Sequence, residues 1–196
     1  MPPKEYLQRE KFPARVQEFV EREKEAISRW SYDATYIPGL LQTKGYTRTL
    51  IENRYPPLDE ETVEERIAGR IERQAILTER KPPVALSFVI YEAVLRSPLV
   101  DAEQLSRLLE VSRLRNVVIQ VLPFVRAVPA ALLGPMVLLE TRDHERFAYA
   151  EGQLGSQLST DPDLVSRTTE RLSMIRAEAL ALAESARFIE QMVDQP

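Results

Sequence analysis

The sequence predicts an α+β fold: a single domain in which a small, largely antiparallel sheet packs with N-terminal and C-terminal helices. Three observations predict it. Apolar residues recur at helical spacing before Lys81, four β-branched or aromatic runs follow, and Asp161-Pro162 then opens a closing helical stretch. The expected parts of the single domain, 1–196, are helical 1–80, sheet 81–160 and C-terminal helices 161–196.

From Pro13 to Trp30, the spacing of Val16, Phe19, Val20, Ile27 and Trp30 predicts one amphipathic helix. Pro38-Gly39 marks a turn, and Thr43 is placed to cap a short helix carrying Tyr46, Leu50 and Ile51. A third helix is expected from Asp59 to Glu79, with Asp59, Glu60 and Glu61 at the positive end of its dipole and Val63, Ile67, Ile71 and Leu77 inside.

At Lys81-Pro82-Pro83 the period changes. VALSFVIY (84–91) reads as a buried strand followed by a short helix, EAVLR. Asp101 caps a helix to about Arg113, with Leu105, Leu108 and Leu109 on its core face. NVVIQVLPF (116–124) is a second strand, and MVLLET, after Gly134-Pro135, a third. A hairpin turn at 142–145 leads to a fourth, RFAYAEG (146–152), and a weak fifth is expected at 156–159. Asp161 then caps a long helix with proline at its first position, and Ala186 to Val193 continues or repacks it.

Composition excludes several chemistries. The 196 residues include no cysteine and one histidine, so thiolate catalysis, disulfides, Cys-based zinc sites and His pairs for a metal are ruled out. His144, beside Asp143, reads as a solvated turn residue. The net charge of −4 opposes direct nucleic-acid binding by a bulk field. No apolar run reaches the ~20 residues of a membrane span, and a cytoplasmic location without membrane contact is expected. No phosphate loop or nucleophile elbow is present, and no cofactor or metal is expected.

Polar side chains within apolar stripes supply the candidate site. Glu23 falls between Val20 and Ile27, while Arg70 and Gln74 project together one turn apart on the third helix. Buried charges must pair, reach water or face a cavity, so Glu23 and Arg70 are candidate partners. Gln120 interrupts VVIQVL, Tyr149 and Glu151 share a face of their strand, and Glu92 follows directly on the first predicted strand. A pocket lined by Glu23, Arg70, Gln74, Glu92, Gln120, Tyr149 and Glu151 would suit a small organic ligand. Its carboxylates could also do acid/base work if burial shifted them.

Two blocks carry a family resemblance. Ile37-Pro38-Gly39-Leu40-Leu41-Gln42-Thr43 with Tyr46 is similar to a "VPGLLQT…Y" signature, and Arg66, Arg70, Arg73-Gln74 and Leu77 match an "R…R…RQ…L" helix. Glu92 with Leu95-Arg96, Gln104, Asn116, Tyr149 with Glu151, and Leu180 with Ser185 extend the match over about residues 18–190. The chain resembles the C-terminal domain of actinobacterial Scr-type, antitoxin-like regulators, whose phage-repressor-class helix-turn-helix precedes it. The resemblance implies an effector domain of a Streptomyces-type transcriptional regulator, binding a small molecule or a small partner protein and open to homodimerisation.

Two departures stand out. The residues before Glu18 are too few for a helix-turn-helix, so no DNA-binding domain is expected in this chain. The family's Gly-x-His after the "PF" is replaced by Val125-Arg126-Ala127-Val128-Pro129-Ala130-Ala131, which would make a loop-lined ligand site more apolar. These departures support an alternative: a stand-alone homologue acting as a cofactor-free lyase, isomerase or cyclase in specialised metabolism.

Overall fold

The computed structural model describes residues 14–152 and 155–194. In chain order its elements are α1 (Ala14–Glu25), β1 (Ala26–Asp33), α2 (Lys44–Glu52), α3 (Glu60–Arg73), β2 (Ala85–Tyr91), α4 (Glu92–Leu95), α5 (Ala102–Val111), β3 (Val117–Leu122), β4 (Met136–Thr141), β5 (Arg146–Gly152), β6 (Gly155–Ser159), α6 (Pro162–Glu178) and α7 (Leu182–Asp194). The fold class is α+β, as the sequence predicts.

One expected element is corrected. The helix predicted through Trp30 stops at Glu25, and AISRWSYD forms β1 instead. The expected start at Pro13 lies outside the described residues. β1 is an inner strand of a sheet ordered β3-β2-β1-β4-β5-β6, so the 1–80 segment is not purely helical. β1 runs parallel to β2, as β2 does to β3, while the β1–β4, β4–β5 and β5–β6 pairings are antiparallel. Both parallel connections are long helical crossovers, the only economical way to return a parallel strand.

The other boundaries follow local chemistry. The side chains of Thr43, Asp59, Asp101 and Asp161 accept backbone N–H bonds at the starts of α2, α3, α5 and α6. α3 tightens into a 3-10 turn over Gln74–Leu77. The second expected C-terminal segment is a separate helix: the chain leaves α6 at Ala179, and the Leu180 N–H bonds the Val121 carbonyl on the outer edge of β3. Ser185 Oγ accepts from the Val121 N–H, so the α6–α7 joint occupies hydrogen-bonding groups that an open edge would expose.

Cross-strand register divides the sheet into two faces. One carries Phe88 and Ile119, with Leu86 and Val121, against the 37–41 segment and α5. Towards β5 the same face carries Leu139, Phe147 and Tyr149 against Phe19 of α1. The opposite face carries Tyr32, Val89 and Leu138 against Leu172 and Ile175 of α6. Burying each large side chain contributes about 1.5–3 kcal/mol.

Within this second core the Tyr32 hydroxyl, on a side chain with no exposed surface, has no hydrogen-bond partner among the described residues. Burial, with Tyr91 and Asp33 nearby, raises its pKa. An unpartnered buried hydroxyl costs about 1–3 kcal/mol. Tyr32→Phe keeps the ring and should therefore raise stability by about 1 kcal/mol. Urea denaturation checks this; a lower midpoint would mean that the hydroxyl is satisfied in solution.

Candidate functional site

β1 places Arg29, Ser31 and Asp33 at alternate positions on the face beneath α1 and α3. The period of two turns all three the same way. Arg29 is buried, so its charge requires compensation. Glu23 of α1, also buried, accepts from Arg29 Nε through Oε1 at 3.1 Å. The other carboxylate oxygen of Glu23 accepts from Arg73 of α3, at 2.6 Å from Nη2 and 3.1 Å from Nε. Arg29 Nη1 donates to Ser31 Oγ at 2.9 Å, and that hydroxyl donates to Asp33 Oδ2 at 2.7 Å. The Arg29 guanidinium also lies 4.8 Å from the Phe88 ring centre, a cation–π geometry.

The relay therefore runs Arg73–Glu23–Arg29–Ser31–Asp33 and ends at the carboxyl end of β1. Burial pushes the Asp33 carboxyl up to about 6, with Glu151 raising it further while Arg29 and the Ser31 hydroxyl oppose the shift. A carboxyl titrating there can give or take a proton near neutral pH.

The predicted site residues divide. Glu23, Arg70, Tyr149 and Glu151 come together on this side of the sheet. Glu151 acts electrostatically on Arg70, Tyr149 and Asp33. Glu23 pairs with Arg29 and Arg73 rather than with Arg70, a correction to the expected pair. Tyr149 stacks on Phe19 with ring centres 4.1 Å apart, and burial raises its pKa. Burial, then the neighbouring Arg73, lowers that of Arg70.

Gln74 stays beside Arg70, both bonding Gln42, as the one-turn spacing predicts, while Glu92 and Gln120 serve elsewhere. Gln74 Nε2 donates to the Gln42 carbonyl at 2.7 Å, while its Oε1 accepts from Arg107 at 3.4 Å. Glu92 is buried and accepts from Arg96 Nε at 2.6 Å and from the Phe124 N–H at 2.8 Å, tying α4 to the β3–β4 connection. Gln120 lies on the opposite face, in register with Val89 and Tyr32, and donates to the Leu180 carbonyl at 3.0 Å. One pocket lined by all seven is therefore not formed. His144 sits in the exposed β4–β5 turn against Glu140, as expected of a turn histidine.

Sequence reasoning missed Arg29, Ser31, Asp33, Arg73 and Gln42. The alternation R-x-S-x-D was the available signal for the first three. Gln42 is a hub of the 37–43 loop: its Nε2 donates to the Ile37 carbonyl at 2.6 Å, and its Oε1 accepts from Thr47 and Arg70. Gln104 clamps the same loop through the Leu41 carbonyl and the Thr43 N–H, and Tyr46 accepts from the Ile37 N–H. These bonds satisfy the polar groups of a buried irregular segment that has no sheet or helix ladder to use.

The apolar departure after Phe124 forms a strap of two 3-10 turns joining β3 to β4. Its inner side, with Ala131 fully buried, packs on the Tyr32 core. Its outer side presents Val125 at 92% exposure, Leu132 and Leu133 at 68% each, and Phe124 at 47%. Four large apolar side chains on one connection form a surface that water solvates poorly.

Residues 16–191 match the family model described as "Domain of unknown function (DUF5753)". The chain belongs to this family. No curated protein matches it. The family match spans α1 through nearly all of α7, so the relay, the clamped loop and the strap all lie within the family domain.

Two measurements probe the relay. Glu23→Gln leaves Arg29 and Arg73 without their shared carboxylate and should lower stability by about 3–5 kcal/mol, read by chemical denaturation. Asp33 binds its proton more tightly in the folded chain, so the stability it contributes is full below its unfolded value of 3.8 and lost as pH rises through about 6. Asp33→Asn should therefore gain stability relative to the parent at neutral pH. Its stability curve should be flatter between those two values; parallel curves would refute the shift.

Proposed function

We propose that the chain is the effector domain of a transcriptional regulator of the antitoxin-like, phage-repressor class, and that it acts by binding a small partner protein. The observation that carries this reading is the outward-facing strap of Phe124, Val125, Leu132 and Leu133. Exposed apolar side chains of this size gain most by being covered by another apolar surface. The resemblance to regulator C-terminal domains supports the regulatory setting.

A small-molecule effector is the less favoured form of the same reading. The polar groups expected to receive one are largely engaged with each other: Glu23 with two arginines, Arg70 and Gln74 with the 37–43 loop. The two best-defined hollows of the surface are lined by other residues. Arg70→Ala then acts mainly by loosening that loop.

A second reading is favoured by Asp33. A carboxyl held near pH 6 beside Glu151 is suited to proton transfer in a cofactor-free lyase, isomerase or cyclase. That reading predicts turnover lost in Asp33→Asn, whereas the regulatory reading leaves partner binding intact in the same variant.

The test uses a photo-crosslinking residue in place of Val125 in the source cell, followed by reconstitution with the purified adduct partner. Val125→Asp with Leu133→Asp should weaken that complex at least about tenfold with unchanged circular dichroism, since burying an unpaired charge in the interface is costly. Equal affinity for parent and double variant would overturn the strap as the interface.

A further inference from the structure

At the end of the sheet opposite Asp33, the surface opens into a hollow of about 560 Å³ lined by Arg22, Lys24, Glu25, Arg80, Arg142 and Asp143, with Thr141 at its floor. It draws on three parts of the chain: the last turn of α1, the segment before β2 and the β4–β5 turn. From its side-chain chemistry we infer that this hollow binds the phosphate group of a small phosphorylated molecule. This inference is independent of the partner surface proposed for the strap.

The cations around the hollow are only partly compensated. Glu25 is engaged by Arg22 at 3.2 Å, and the Arg22 guanidinium lies 5.2 Å from the Phe147 ring centre, which orients it. Among the described residues, Arg80 reaches a backbone oxygen alone, donating to the Ala26 carbonyl at 3.4 Å. Among the described residues, Lys24 and Arg142 meet no carboxylate within ion-pair distance. Lys24, Arg80 and Arg142 therefore face a single uncommitted carboxylate, Asp143. In a chain of net charge −4, this local excess of positive charge stands against the overall balance.

The bland role for the α1 cations is to complement the negative end of their helix dipole. That role accounts for Arg22 and Lys24 but not for Arg80 and Arg142, which arrive from elsewhere in the chain. Two guanidinium forks and an ammonium around one concavity match the oxygens of a phosphate, for which arginine is the preferred donor. The volume exceeds what a bare phosphate needs and leaves room for the organic part of a phosphate ester. The two carboxylates at the rim disfavour a polyanion lying flat across the hollow, which favours a compact monoester over a nucleic-acid backbone.

Isothermal titration with adenosine monophosphate, and with adenosine as its dephosphorylated control, tests the inference on the full chain. Saturable binding is expected for the monophosphate alone, weakening several-fold as NaCl rises from about 0.05 to about 0.3 M. Arg80→Ala with Arg142→Ala should weaken it at least about tenfold, while Arg113→Ala, an exposed arginine outside the hollow, should leave it unchanged. Equal binding of adenosine, no saturable binding, or an unaffected double variant would each overturn the assignment. So would binding confined to duplex DNA, which would make the hollow a nucleic-acid contact instead.

Discussion

The carboxylate of Glu23 links three elements that share no backbone hydrogen bonds with one another at that point. One oxygen holds Arg29 of β1 and the other holds Arg73 of α3, while Glu23 itself rides on α1. An inner strand carrying an arginine towards the core is unstable by itself, because several kcal/mol are needed to strip water from the guanidinium. It becomes tolerable only when a carboxylate arrives with matching geometry, and here α1 must end beside β1 for that to happen. Placement of α1, the identity of the strand after it and the seating of α3 are therefore one solution to one electrostatic problem. Ion pairs of this kind add little net stability over an apolar isostere, so their value lies in excluding other arrangements of the same helices.

The same physics explains much of the polar pattern that resembles the regulator family. Gln42, Arg70, Gln74 and Gln104 satisfy backbone or side-chain groups of the 37–43 loop. Asn116 donates to the carbonyls of Leu77 and Val84, and Ser185 accepts from the N–H of Val121. Each stands where irregular chain, or the border of a strand, would leave a polar group buried and unpaired. A motif rich in Gln, Asn and Arg thus reports how the domain encloses its loops. A ligand is not needed to account for these residues.

Legibility in the sequence followed the range of the interactions involved. The caps at Thr43, Asp59, Asp101 and Asp161 were readable because a cap is decided within three residues. β2 through β5 were readable because β-branched and aromatic runs between turn residues have few alternatives, whereas β6, GSQLS, carries no such residues and gave only a weak signal. β1 was not. Val20, Ile27 and Trp30 satisfy a helical period, and the residues that mark AISRWSYD as a strand point a charged row at the core, against the binary pattern for a buried face. Glu23, six residues before Arg29 on the preceding helix, and Arg73, distant in the chain, make that row acceptable. Likewise, nothing local to Gln120 says that it faces α6 while Tyr149 faces α1; that follows from the strand register.

The charge is disposed unevenly over the fold. Inside, the single carboxylate of Glu23 is shared by Arg29 and Arg73, so these side chains are engaged with each other. Towards solvent, the relay ends in a titratable carboxyl at one end of the sheet, and uncompensated cations gather at the other. The strap lies on the face across the sheet from the relay and meets it only through the sheet itself: β1 carries Arg29 on one side and Tyr32, beneath the strap, on the other. Side chains on β1 alternate between the faces, so a partner pressing on the strap loads the same strand that holds the relay. Strain at Tyr32 would reach Ser31 and Asp33 through the backbone with no intervening loop to absorb it.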